Sequence, residues 1–184
     1  MGRWLPGVYC CFRDRLFFTR SRELLAGFRN LHDMKLFDVI IIGGGPAALN
    51  AAVVLGRCRR KVLLFDTGRQ RNRHSHGIHN FLTRDNVLPA DIIRIARKEG
   101  RKYGVLFINT EITNAKKINE NVFQVRDRHN ITYNTKKILV ATGLADNIPP
   151  LEGFSQFYGR SVFHCPYCDA WEVKDKKIVF LAGT

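Results

Sequence analysis

The sequence predicts an α/β fold: a parallel sheet with helices, a small antiparallel meander, and the opening of a second, incomplete unit at its C-terminal end. Three observations predict it. A continuous apolar run, Phe37 to Ile42, leads into a glycine turn and then into a helix of small and aliphatic residues. Such a run fits a strand buried on both faces, as strands of parallel sheets are. Strand patterns then alternate with helical ones, the order that a parallel sheet with crossover helices produces. Finally, a second buried strand, Lys137 to Val140, ends in the small-residue turn Ala141-Thr142-Gly143.

Residues 1–33 stand apart from this pattern. Arg3, Arg13, Arg15, Arg20, Arg22 and Arg29 lie among Trp, Phe, Tyr and Leu, interrupted by Asp14, Glu23 and Asp33. The acidic residues weigh against an organelle-targeting segment, and a secretory signal would need an unbroken apolar centre. The first reading is a start assigned too early, with Met34 the real one. A targeting segment and a structured extension are the alternatives.

From Phe37 the elements follow in order. The strand to Ile42 meets the tight turn Gly43 to Gly45. Pro46 then takes the first helical position, where its missing N–H costs nothing, and the helix Ala47 to Arg57 follows. Lys61 to Asp66 is a second strand, and a polar loop rich in Arg, Asn and His runs to about Val87. Pro89 to Tyr103 has the spacing of an amphipathic helix, and Val105 to Ile108 that of a short strand. Ile112 to Ile118, Val122 to Arg126 and Ile131 to Tyr133, separated by Asn and Asp turns, read as an antiparallel meander. After Lys137 to Val140, a connection containing Pro149 and Pro150 leads to Cys165 and Cys168. A last strand, Ile178 to Leu181, is followed by Ala182-Gly183-Thr184, as another β-turn-α unit would open.

Composition narrows the class. Of 184 residues, 45% are hydrophobic and 25% charged, which is ordinary for a globular protein and excludes disorder of the whole chain. No apolar run is long enough for a membrane-spanning helix. The net charge of +14 points to phosphates or an acidic partner, or to a plain solvated surface. Nucleic-acid binding is disfavoured, because Lys and Arg are spread along the chain and no stacking-aromatic module accompanies them. The densest patches, Arg57 to Lys61 and Arg69 to Arg73, flank the second strand, where a dinucleotide phosphate would account for them.

Gly43-Gly44-Gly45-Pro46-Ala47-Ala48 fits G-x-G-x-x-A between a strand and a helix. Gly43 permits the turn, Gly45 leaves room for a pyrophosphate, and Ala48 lets helix and strand pack closely. The helix start, with Pro46 and Ala47, offers free N–H groups and a partial positive charge to phosphates. Asp66, ending the second strand, is placed to accept hydrogen bonds from ribose hydroxyls. The whole is a Rossmann-like dinucleotide-binding unit. A glycine turn with no ligand leaves Asp66 unexplained.

Phe163-His164-Cys165-Pro166-Tyr167-Cys168-Asp169 is the expected chemical centre. Two intervening residues allow a disulfide across one helical turn, and Pro166 fits the first helical position. A cysteine at a helix start has its thiolate stabilised. Redox chemistry comes first; zinc and an inert buried pair stay open as alternatives. A closed zinc site needs about four ligands, and no second C-x-x-C or H-x-x-x-H is present. His74, His76 and His79 read as part of a polar loop lining the nucleotide pocket, in preference to a metal cluster among so many arginines. Cys58 is expected to be packed on the first helix. Cys10 and Cys11 fall in the leader.

The three motifs, Gly43 to Ala48, Ala141 to Gly143 and Cys165-Pro-Tyr-Cys168-Asp169, resemble in order and spacing the low-molecular-weight thioredoxin reductases. The H-C-P-Y-C branch of these FAD/NAD(P)-dependent disulfide oxidoreductases is the nearer one, and the resemblance spans about residues 34–184. It implies FAD, with the Ala141-Thr142-Gly143 turn close to it, and NADPH as hydride source in the full-length protein. It implies that Cys168 faces the flavin, that Cys165 attacks the substrate disulfide, and that Asp169 donates a proton. Asn80 resembles the family's Asn near the flavin.

The expected division is thus a leader over 1–33, the first segment of an FAD-binding domain over 34–150, and a connection, the cysteine pair and the first strand of a truncated NAD(P)H-binding domain over 151–184. The implied partner is a thioredoxin-like protein or a small disulfide, with a homodimer left open. A cytoplasmic location with no membrane association is expected. An FAD-dependent dithiol oxidase using oxygen is the alternative within enzymes. A non-catalytic basic nucleotide- or nucleic-acid-binding protein is the alternative outside them.

Overall fold

The computed structural model describes residues 36–181. The leader read at 1–33, with Cys10 and Cys11, lies outside them, as do the last three residues. A single six-stranded sheet organises the described part, in the order β3-β2-β1-β6-β5-β4. Strand β1 (Phe37–Ile42) is followed by helix α1 (Pro46–Arg57), strand β2 (Val62–Phe65), helix α2 (Pro89–Lys102) and strand β3 (Leu106–Ile108). Strands β4 (Ile112–Asn119), β5 (Val122–Asp127) and β6 (Thr132–Val140) complete the sheet, and the short helices α3 (Phe154–Phe157) and α4 (Pro166–Asp169) follow.

The core forms where apolar periodicities of two kinds meet. All four residues of β2 are buried, and so are Phe37, Ile40 and Ile41 of β1. Helix α1 buries Ala48, Leu49, Ala52 and Gly56. These recur at helical spacing on one face, and being mostly small they bring the helix down onto Ile41, Val62, Leu64 and Val105. Ile93 and Ala96 of α2 and Phe107 of β3 pack against the same cluster. Cys58 is exposed and free, contrary to expectation. It caps the C-terminus of α1, off the face that begins with Ala48 and ends with Gly56.

β1, β2, β3 and β6 are parallel, whereas β6 is antiparallel to β5. The sequence pattern separates 131–133 from 137–140; the structure joins them in one strand. Thr135 is the pivot, pairing with Phe37 on one side and Phe123 on the other. The polar stretch 134–136 looks like a break, yet each side chain is bonded within the sheet. Gln124 Nε2 donates to Asn134 Oδ1 at 3.1 Å, the buried Thr135 hydroxyl to Lys137 O at 2.8 Å, and Lys136 Nζ to Asp38 Oδ1 at 2.7 Å. Residues 178–181 form no strand. They are largely exposed and have no pairing partner among the described residues, and an extended segment without a neighbour has no ladder to join.

Asp127, 2% exposed, closes the β5–β6 turn: its Oδ1 accepts the N–H groups of His129 and Ile131, each at 2.9 Å. Its carboxylate and the surrounding burial push the Tyr133 hydroxyl up to about 12, burial being the larger cause. Asp127→Ala should therefore lower stability by about 2–3 kcal/mol, the scale of lost hydrogen bonds to a buried charge. Urea unfolding measures it, and a midpoint equal to that of the parent protein would remove Asp127 from this role.

Candidate functional site

The parallel pairing of β1 with β6 creates the site. Ile42 lies beside Val140, so the residues that follow each strand emerge side by side: the glycine loop from β1 and Ala141-Thr142-Gly143 from β6. Ala141 N–H donates to Ile42 O at 2.8 Å and locks this arrangement. Open α/β sheets bind their ligands outside the carboxyl ends of the parallel strands. A cleft of about 570 Å³ opens there, walled by Gly43, Gly44, Gly45, Pro46, Asp66, Thr110 and 141–144, among others.

Close approach dictates the glycines. Gly43 has φ +121°, and a Cβ there would strike the carbonyl oxygen of Ala141. At Gly44, an unspecified position of the fingerprint, a Cβ would collide with the carboxyl group of Asp66. At Gly45 it would meet nothing within 4 Å, so that residue borders open space as the fingerprint requires. Helix α1 starts with Pro46 at its first position and no side-chain cap, leaving its end to a ligand. Ala48 is fully buried behind the loop, and Ala47 is exposed.

Asp66 is on the cleft wall but already engaged. Arg97 donates to its Oδ2 at 2.5 Å, Gln70 Nε2 to the same oxygen at 3.0 Å, and Gly68 N–H to Oδ1 at 2.8 Å. Asp66 is 4% exposed and the Arg97 side chain 18%. Two polar atoms here are buried and without a partner, Arg97 Nε and Thr110 Oγ1. Thr110 is among the residues that line the cleft.

The arginine patches divide. Arg69 and Arg71 reach the cleft wall, while Arg57 to Lys61 precede β2 at its far end. Thr67 and residues 69–72 supply the wall from the polar loop, but the three histidines do not. His79 instead contacts Asp85 at 3.0 Å and Glu172 at 3.5 Å.

The cysteines form a second centre, at the start of α4. Cys165 and Cys168 are joined in a disulfide with Cα atoms 5.3 Å apart. Cys165 is the N-cap of α4 and Pro166 its first residue, as the spacing predicts. Cys165 is half-buried and Cys168 exposed. Asn80 lies here and not in the cleft: its Nδ2 donates to Tyr167 O at 2.7 Å, tying the helix to the polar loop. The Asp169 carboxyl is raised, chiefly by burial, with His164 opposing and Glu172 adding to the shift.

Sequence reasoning missed Arg97, Gln70, Thr110, Asp146 and Tyr158. Arg97 and Thr110 carry no local signal, since each reaches the site only through the packing of α2 and β3 beside β2. Arg71 was foreshadowed by the basic patch.

A cleft walled by the glycine loop and a disulfide-bonded C-x-x-C in one chain are the features of the nucleotide-dependent disulfide class of redox proteins. The family described as pyridine nucleotide-disulphide oxidoreductase matches residues 37–183, and the chain belongs to it. It is 38% identical over 151 residues to a "probable thioredoxin reductase" of Arthroderma benhamiae, covering 79% of this chain and 37% of that protein. With a thioredoxin reductase of Leptosphaeria maculans it shares 35% identity over 140 residues, 74% of this chain and 43% of the relative. Among solved structures, HlmI superposes with a TM-score of 0.74 at 39% identity, over 76% of this chain and 45% of that one. The chain thus spans less than half the length of these relatives. No helix among the described residues is long and apolar enough to cross a membrane.

Proposed function

We propose that the full-length protein is an FAD-dependent disulfide oxidoreductase that passes electrons from NADPH to the Cys165/Cys168 pair and on to a thioredoxin-like protein or a small disulfide. The observation that carries this reading is a disulfide across one helical turn in a chain of this family, which also has a cleft at the glycine loop. FAD, when bound, supplies the two-electron centre between nicotinamide and disulfide. The residues suited to hold it are Gly43, Gly45 and the start of α1 at Pro46, Ala47 and Ala48 for the pyrophosphate, Asp66 for a ribose, and Ala141, Thr142 and Gly143 along the opposite wall. Open space at Gly45 and the unpartnered Thr110 hydroxyl fit such an occupant. Asn80 holds the cysteine helix, Asp169 is suited to give the exchange step a proton, and the sulfurs do the exchange.

The domain division proposed is 34–150 for the first FAD-binding segment and 151–184 for the approach to a nicotinamide-binding domain. Absorbance and turnover of the purified full-length protein test the function. Oxidised-flavin bands, with NADPH consumed in proportion to disulfide reduced, are expected. Flavin bands with dithiol oxidation and oxygen uptake, and no NADPH-dependent reduction, would make it a dithiol oxidase. A colourless protein would end both enzymatic readings.

A further inference from the structure

We propose that Arg71, Asp146 and Tyr158 form a positioning chain that fixes His164, the residue preceding the cysteine pair, in a single tautomer with its proton on Nδ1. The use of this arrangement rests on the disulfide exchange proposed above. Arg71 comes from the cleft wall, and its Nε lies 2.8 Å from both carboxylate oxygens of Asp146, with a second nitrogen 2.6 Å from Oδ1. The Tyr158 hydroxyl is 2.5 Å from Asp146 Oδ2 and 2.9 Å from His164 Nδ1. The Tyr158 and His164 rings stack, with centroids 5.7 Å apart and an interplanar angle of 22°.

Proton counting decides the direction of each bond. The Arg71 hydrogen bond, then that of Tyr158, hold the Asp146 carboxyl down to about 2, so near neutral pH it only accepts. Burial first, and the bond to Asp146 second, push Tyr158 up to about 12, so its hydroxyl keeps one proton. That proton is directed to Asp146. Toward His164 the hydroxyl has only lone pairs left, and Nδ1 must be the donor. In the neutral ring Nε2 is then unprotonated. The other charged groups in the surroundings are Asp169, which senses His164, and beyond it Glu172 and His79.

The exchange requires the thiol proton of Cys165 to move, and Nε2 is the atom of the neutral His164 ring left free to accept a proton. In the exchange step a bond forms between Cys165 sulfur and one substrate sulfur as the substrate disulfide breaks, and the proton passes to the departing sulfur. No further oxidant or reductant enters this step. None of the four residues is adjacent in sequence to another, so only the fold assembles them.

The test uses full-length protein labelled with ¹⁵N at histidine, in the oxidised state at about pH 8, where an ordinary imidazole is neutral. Long-range proton–nitrogen correlation spectra read the tautomer, and His164→Gln assigns the signal. The Nδ1-protonated pattern is expected in the unmodified protein. In Tyr158→Phe, which keeps the ring and its stacking but lacks the acceptor oxygen, that single pattern should be lost. A proton on Nε2 in the unmodified protein, or an unchanged pattern in Tyr158→Phe, overturns the proposal. The spectra do not depend on turnover. A protein with the expected tautomer but no disulfide turnover would sink the function proposed above and leave this chain standing.

Discussion

Replacing Cys168 by serine in the full-length protein should abolish disulfide turnover and leave Cys165 in a stable mixed disulfide with its substrate. Exchange passes through such a species, in which one sulfur engages the substrate and the other resolves it. Without the resolving sulfur the complex persists. Cys165→Ser should trap nothing, and both variants should lose roughly a thousandfold or more in turnover, the scale seen when a covalent participant is removed. Family resemblance assigns the outward role to Cys165, whereas exposure in this chain runs the other way, Cys165 being half-buried and Cys168 exposed. Mass spectrometry of the trapped species decides between them. A substrate adduct on Cys168 in the Cys165→Ser variant would reverse the roles, and full turnover in either variant would take the pair out of the mechanism.

Asp66→Ala should have two separable effects. The first is on stability: removing the carboxylate strands the Arg97 guanidinium, only 18% exposed, without its charge partner. Breaking one side of a buried pair costs about 3–5 kcal/mol, and the water still reaching Arg97 places the loss near the lower end. The second is on dinucleotide affinity, which should fall roughly ten- to a hundredfold as a charge-assisted hydrogen bond to ribose is lost. The double variant Asp66→Ala/Arg97→Met separates them. With no stranded charge its stability should recover, while its FAD dissociation constant stays weak. An FAD affinity equal to that of the parent protein in either variant would mean that Asp66 serves the fold alone.

The fingerprint was legible because its constraints are local. Gly43, Gly45, Pro46 and Ala48 answer to one turn and one helix start, and Cys165, Pro166 and Cys168 to another. Both could be read from a few consecutive residues. The strands β1 and β2 were legible for a similar reason: burial on both faces leaves an unbroken apolar run. The sequence pattern failed where polar residues sit inside elements. It split β6 at residues 134–136, whose side chains find partners within the sheet. It also placed a strand at 178–181, where apolar residues have no strand to pair with among the described residues.

By itself, then, the sequence determined the α/β class, the glycine fingerprint and the C-x-x-C pair, each written in neighbouring residues. Only the tertiary structure decided that Ala141 would lie against Gly43, that Gly44 would have to be glycine because of Asp66, and that Asp66 would be held by Arg97. The same is true of the line from Arg71 through Asp146 and Tyr158 to His164. The physical reason is the range of the interactions. Backbone turns and helix starts are set by φ, ψ and the next few residues. Contacts between distant side chains exist only after parallel strand pairing has brought the ends of β1, β2 and β6 to one edge of the sheet.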